Sequence, residues 1–230
     1  MVDAPRSSAV RLVIVEDEPL YRDLLRTSLE RAGFVVVDAF ADPASALALT
    51  PSLAPDVVLL DIELGSSSVS GVEVGIRLRR LMPAVGIVLL SNHITPHLVT
   101  ALPVDVSGGW SFLSKRTVSD VDSLSRAITG AANGLVVYDA ALSHASSIRA
   151  GSPIRRLTLR QRDIVELMAQ GYSNKAIAQR LVVTDKSVEN HLTRIYQQLG
   201  IGANDPATHQ RVQVALLYLD STVMIGAPQP

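Results

Sequence analysis

A chain of 230 residues is long enough to bury a substantial core, as one large domain or two modest ones, and 47% hydrophobic content without cysteine excludes a disulfide-stapled scaffold. No apolar run approaches a membrane span and the start carries no secretion-signal pattern, so a soluble protein of the reducing cytoplasm, with no membrane partner, is expected. The net charge of −1 is unevenly shared: residues 1–148 hold 11 Lys and Arg against 16 Asp and Glu, residues 149–230 hold 10 against 6, and the basic half suits a polyanionic partner.

Residues 1–9 lack apolar periodicity and read as a flexible tail. A strand begins near Val10 and runs through Leu12-Val13-Ile14-Val15 into Glu16 and Asp17. From Leu20 to Ala32, Leu20, Leu24, Leu25 and Leu29 share one helical face, and Gly33 stops the helix. Phe34 to Phe40 returns as a strand, and Asp42-Pro43 opens an alanine-rich helix to about Thr50, as an N-cap followed by proline does. Val57-Val58-Leu59-Leu60 then runs directly into Asp61. Such a run fits a parallel strand covered on both faces, delivering a carboxylate at its mouth.

A serine-rich loop over 65–71 leads to a helix over Val72 to Leu81, with Arg77, Arg79 and Arg80 placed to suit its C-terminal dipole. A strand from Val85 to Leu90 ends at Ser91, Pro96 to Leu102 makes a short helix, and a strand from Gly109 to Ser114 runs into Lys115 before a helix over about Val118 to Ala132. Five strands alternating with five helices predict an α/β doubly wound parallel sheet over 10–133. Residues 134–153, rich in Ala, Ser and Gly, read as a linker. Over 154–219 four helices are predicted: Arg160 to Gln170, Lys175 to Leu181, Asp185 to Leu199 and Pro206 to Leu219, with a tail at 220–230. The short turn Val182-Val183-Thr184 gives the middle pair the form of a helix-turn-helix. Val188, Leu192, Ile195 and Leu199 would face the core; Lys186, Glu189, Asn190, Thr193, Arg194 and Gln197 would point outward.

One parallel sheet gathers Glu16, Asp17, Asp61, Ser91 and Lys115 at one edge. Carboxylates about 4 Å apart repel by about 1 kcal/mol per pair even in a water-like dielectric, which a divalent cation offsets. Mg2+, which takes one or two carboxylates with waters and a phosphate, suits Asp17 and Asp61 with Glu16 nearby. The set fits phosphoryl transfer to Asp61, with Lys115 and the Ser91 hydroxyl holding phosphoryl oxygens, and a new phosphate can act as a two-state switch. On a helix-turn-helix, Lys175, Lys186 and Arg194 suit phosphate contacts with double-stranded DNA, against a plainer reading as a solvated basic face. The last helix serves both as core and as a dimer seam.

Together these residues resemble the two-component response regulators of the NarL/FixJ type, which carry a LuxR-type helix-turn-helix. The second half adds Leu157-Thr158-Leu159-Arg160-Gln161-Arg162-Asp163-Ile164-Val165, Gly171-Tyr172-Ser173-Asn174-Lys175-Ala176-Ile177-Ala178 and Ser187-Val188-Glu189-Asn190-His191-Leu192. The resemblance implies a flavodoxin-like receiver of strand order 2-1-3-4-5 and a DNA-binding transcriptional regulator, not an enzyme, that a histidine kinase phosphorylates to control dimerisation and DNA binding. By similarity Glu16 and Asp17 are the acidic pair, Asp61 the phosphoacceptor, Ser91 the switch hydroxyl, Phe112 the switch aromatic and Lys115 the lysine; the Glu63 backbone carbonyl completes the Mg2+ ligands. Glu189, Asn190 and Thr193 would face bases. Two departures stand out: Leu64-Gly65 occupies the usual Met-Pro position, with Gly71 ten residues after Asp61 instead of eight, and Glu189 stands where lysine is frequent. The alternative is a receiver controlled by partner proteins without phosphorylation. A phosphatase using Asp61 finds Glu63 at the right spacing but no other part of its pattern.

Overall fold

The computed structural model describes residues 9–65, 69–92, 108–115, 120–138, 146–149, 151–202 and 210–224. The N-terminal half forms β1 (Arg11–Val15), α1 (Pro19–Arg31), β2 (Val35–Phe40), α2 (Pro43–Leu53), β3 (Val57–Asp61), α3 (Gly71–Leu81), β4 (Gly86–Ser91), β5 (Trp110–Ser114), α4 (Val121–Ala132) and β6 (Val137–Tyr138). All six strands are parallel, in the order β2-β1-β3-β4-β5-β6. The expected order of the first five strands holds, and the sixth corrects the five-strand expectation. Val137 and Tyr138 pair with Ser111 and Phe112 across the open edge of β5, inside the segment expected to be linker. Two apolar residues were too few to register as a strand by periodicity, yet both are nearly fully buried.

Side chains alternate across a strand, so each central strand feeds two cores. Leu12, Ile14, Val57, Leu59, Val88, Leu90 and Leu113 pack with Leu25 and Leu29 of α1 and Leu124, Ala127 and Ile128 of α4. Val13, Val15, Val58, Leu60, Ile87, Leu89, Trp110 and Phe112 pack with Val74 and Leu78 of α3. Every residue of β3 and β4 is buried. Each such Val, Leu or Ile stabilises the fold by about 1.5–3 kcal/mol, so these two strands anchor the sheet. The expected apolar face of α1 divides: Leu25 and Leu29 are buried, while Leu20 and Leu24 are 78% and 55% exposed. The helix has room to bury only one edge of that stripe. The expected helix over Pro96 to Leu102 lies outside the described residues.

The C-terminal half forms a 3-10 turn at Pro153–Arg156 and helices α5 (Leu159–Ala169), α6 (Asn174–Leu181), α7 (Asp185–Gln198) and α8 (Gln210–Ser221). Thr158 and Gln161 form a capping box at the start of α5, and Ser173 and Thr184 cap α6 and α7 through Ala176 and Ser187 amides. Part of the segment expected as a C-terminal tail is a strand: β8 (Thr222–Met224) pairs antiparallel with β7 (Ser146–Ile148), which lies inside the expected linker. Helix α8 buries two faces, Val212, Ala215 and Leu219 on one and Val214, Tyr218 and Ser221 on the other. The Tyr218 ring meets Tyr138 of the sheet edge at 6.0 Å between centroids. One continuous apolar core therefore runs from the sheet into the helical half.

Candidate functional site

Strand parity assembles the acidic site. Glu16 follows Leu12 and Ile14 in alternation, Asp61 follows Val57 and Leu59, and Lys115 follows Leu113, so all three continue the same face, from the neighbouring ends of β1 and β3 and from β5 beyond β4. Glu16 is fully buried and Asp61 is 4% exposed. Lys115 Nζ lies 2.9 Å from Asp61 Oδ2 and 2.9 Å from Glu16 Oε2. The Glu63 amide donates to Asp61 Oδ1 at 3.2 Å. Carboxylate oxygens of Glu16, Asp17 and Asp61 all lie within 4.8 Å of one another.

Burial holds the Glu16 and Asp61 carboxyls above their ordinary range, against the lowering influence of Lys115. Burial alone would depress Lys115, but hydrogen bonds from it to Asp61 and Glu16 overcome this and raise it. One ammonium thus serves two carboxylates directly while a third stands close by. An all-oxygen nest short of positive charge is what a hard divalent cation fits, so these residues can hold a metal ion. An open cavity of about 560 Å³ borders Asp17, with Pro43, Leu47, Leu64, Gly65 and Arg77 in its wall.

Ser91 and Phe112 continue the opposite parity and sit on the other core. Ser91 is 1% exposed, and its carbonyl accepts the Lys115 amide at 2.8 Å. Phe112 is fully buried, its ring centroid 6.4 Å from that of Trp110, and it pairs in register with Tyr138.

Three contributors escaped the sequence reading. The Tyr21 ring lies under Lys115 Nζ at 4.7 Å to the centroid, and burial pushes its phenol up to about 12. Arg22 donates to the Glu16 carbonyl at 2.6 Å. Neither carried a signal, since both read as ordinary positions of an amphipathic helix. Gly71 is the third: a Cβ there would stand 1.8 Å from the Asp61 carbonyl oxygen, and its amide donates to the Ile62 carbonyl at 3.0 Å. The glycine ten residues after Asp61 thus brings α3 against the end of β3. Its displacement from the usual spacing was visible, but the contact was not.

In the helical half, Val188 and Ile195 are fully buried, Leu192 nearly so, and Leu199 packs partly buried against the same core. Lys175, Lys186, Glu189, Asn190, Thr193 and Arg194 are all exposed. Lys186 pairs with Glu189 at 3.2 Å, and the Thr193 hydroxyl donates to the Glu189 carbonyl at 3.0 Å. The unexpected acid on this face therefore lies beside its own cation, one turn away. Val182 joins α6 to α7 in the left-handed conformation at φ 55°.

A buried acid nest with its lysine on a parallel sheet, coupled to a helix-turn-helix with an open polar face, defines a phosphorylation-sensing domain joined to a DNA reader. The comparisons agree. Residues 12–129 match the response regulator receiver domain model, and residues 155–215 match that of the bacterial regulatory proteins of the luxR family. The chain is 31% identical over 219 residues to the probable transcriptional regulatory protein NarL of Mycobacterium tuberculosis, covering 93% of this chain and 98% of that one. It is 30% identical to the nitrate/nitrite response regulator NarL of Escherichia coli, over 82% of this chain and 88% of that one. A solved structure of two RcsB dimers bound to two parallel DNAs shares the fold at a TM-score of 0.52 and 21% identity, covering 93% of this chain and 99% of that one. The chain belongs to the NarL/FixJ-type response regulators, transcription regulators in which a receiver controls a LuxR-type DNA-binding domain. Among the described residues, no helix is long and apolar enough to cross a membrane.

Proposed function

We propose that Asp61 is the phosphoacceptor through which a histidine kinase controls dimerisation and DNA binding. The observation that carries this reading is the contact of buried Asp61 with Lys115 at 2.9 Å, inside the nest with Glu16 and Asp17. An Asp61 carboxylate oxygen attacks the phosphorus of a phosphohistidine, the phosphorus–nitrogen bond breaks, and its electron pair leaves on the imidazole. Glu16, Asp17 and Asp61, with the Glu63 carbonyl, would hold Mg2+, which when bound neutralises charge on the phosphoryl oxygens. Lys115 and the Ser91 hydroxyl then engage those oxygens.

The proposed route from Ser91 passes to Phe112, which pairs with Leu89 on the neighbouring strand. Phe112 lies beside Tyr138 in the sheet, and the Tyr138 ring meets Tyr218 of α8. A shift at Ser91 and Phe112 alters the seat of Tyr138 and hence of α8, the helix proposed as the dimer seam. Tyr138→Leu keeps an apolar edge but removes the ring contact. Beryllofluoride with Mg2+ should still bind this variant, while the rise in DNA affinity that it produces in the wild type should fall at least severalfold; an undiminished rise in a fluorescence-anisotropy titration refutes the route.

On the DNA side, α7 enters the major groove, Glu189, Asn190 and Thr193 face base edges, and Lys175, Lys186 and Arg194 contact phosphates. Selection of bound fragments from a random DNA pool, with and without beryllofluoride, tests the whole reading. Paired half-sites about 10 bp apart, enriched only when both beryllofluoride and Mg2+ are present, are the expected yield. Enrichment indifferent to them would favour control by partner proteins. Lys186→Ala should weaken binding to all sequences alike and flatten the salt dependence of log K by about 0.9. An unchanged slope counts against a phosphate contact there.

A further inference from the structure

Where α4 of the receiver meets the α5–α6 turn of the DNA-binding domain, the chain gathers cations without matching acids. The Arg126 guanidinium lies over the Tyr172 ring at 4.4 Å and that of Arg180 over the same ring at 4.1 Å. Arg211 of α8 donates to the Tyr172 carbonyl, and to Asn174 Oδ1 at 3.1 Å. Arg126 and Arg211 both line a cavity of about 450 Å³, whose wall, among the described residues, also holds Ser125, Thr129, Asn133 and Ser173 but no Asp or Glu. Among the described residues, no ion pair is formed by Arg126, Arg180 or Arg211. Asp120, at the start of α4, is engaged there: it accepts the Ser123 hydroxyl and the Asp122 amide, and these hydrogen bonds, with a smaller influence from Arg126, hold its carboxyl below the ordinary range. The buried Arg126 Nε has no hydrogen-bond partner. Burial also depresses Arg211, whose charge is met by two uncharged acceptors, the Tyr172 carbonyl and Asn174 Oδ1.

Two guanidiniums over one ring and a third on the backbone of the same residue, with Arg126 and Arg211 facing a hydroxyl- and amide-lined cavity, are an arrangement that lacks its counter-charge. We infer that this cavity between receiver and DNA-binding domain binds a small phosphate-bearing anion, bridging Arg126 and Arg211 across the two domains. The guanidinium fork suits phosphate oxygens, Ser125, Thr129 and Asn133 supply further polar contacts, and Leu135 and Ala176 offer an apolar wall for an organic portion. The cavity falls in the range of small-ligand sites. Such a ligand ties the receiver to α6 and α8, so its occupancy bears on DNA binding independently of Asp61.

Calorimetric titration of the full chain at fixed ionic strength, with inorganic pyrophosphate and separately with adenosine monophosphate, tests this. Saturable one-to-one binding of at least one probe is expected, pyrophosphate alone pointing to an inorganic source and adenosine monophosphate to a nucleotide. Arg126→Ala should weaken it at least tenfold. Thr129→Glu, at an exposed helical position, places a carboxylate in the cavity; it should weaken the probe equally and raise the melting temperature of the unliganded protein. Absence of saturable binding of both probes, or variants that bind as the wild type does, overturns the inference. Loss of DNA affinity in both variants, with neither probe binding, would identify the arginines as a DNA backbone contact and equally overturn it.

Discussion

Asp61→Asn should reduce labelling by acetyl phosphate in the presence of Mg2+ to background, while circular dichroism shows an intact fold. The amide keeps the shape of the side chain but offers no anionic oxygen to attack phosphorus. Incorporation of label at a wild-type level would place the phosphoacceptor elsewhere. The same variant carries a stability signature. Burial raises the Asp61 carboxyl despite Lys115, so the native protein holds this proton more tightly than the unfolded chain. Its contribution to stability is complete below the unfolded carboxylate value, about 4, and is lost as pH rises through the higher folded value. Asp61→Asn escapes that loss. In metal-free buffer its urea midpoint relative to the wild type should be most favourable at pH 7 and should decline toward pH 4. Saturating Mg2+ stabilises the ionised wild type and should narrow the difference at pH 7. An advantage that grows with acid would contradict the burial argument.

Gly71→Ala should cost about 3 kcal/mol, at the upper end of overpacking penalties, and should also abolish labelling of Asp61. The added methyl would meet the Asp61 carbonyl oxygen at 1.8 Å and its carbon at 2.8 Å. Both are backbone of a strand paired on each side, so no flexible side chain can yield. Relief requires α3 to withdraw or the end of β3 to move, and either displaces the carboxylate from Lys115. Gly108→Ala is the matched control, since its Cβ would find nothing closer than 3.7 Å. Denaturant midpoints and labelling of the pair decide it; a Gly71 variant as stable and as reactive as the Gly108 variant would show that the close approach is dispensable.

Much of the receiver was legible because its signals are local. Val57 to Leu60 running into Asp61 announces a doubly covered strand with an acid at its mouth, and alternation along each strand places Glu16, Asp61 and Lys115 together once the strands are parallel. The helix cap at Asp42 was equally readable, because a side-chain oxygen bonding an amide three residues on is a property of the local chain. Tyr21 and Arg22 were not, since their roles depend on which strand end lies opposite α1. The split of α1 into buried Leu25 and Leu29 and exposed Leu20 and Leu24 depends likewise on how far the sheet extends beneath it.

By itself the amino-acid order determined the strand-and-helix alternation, the acids and lysine destined for one edge, and the polar outer face of α7, because period and spacing are written along the chain. Only the tertiary structure decided that Val137 and Tyr138 close the sheet, that Tyr138 meets Tyr218, that Gly71 must be bare, and that Arg126, Arg180 and Arg211 converge on Tyr172. These are contacts between residues far apart in sequence, and their energy depends on the packing of surfaces that no local pattern encodes.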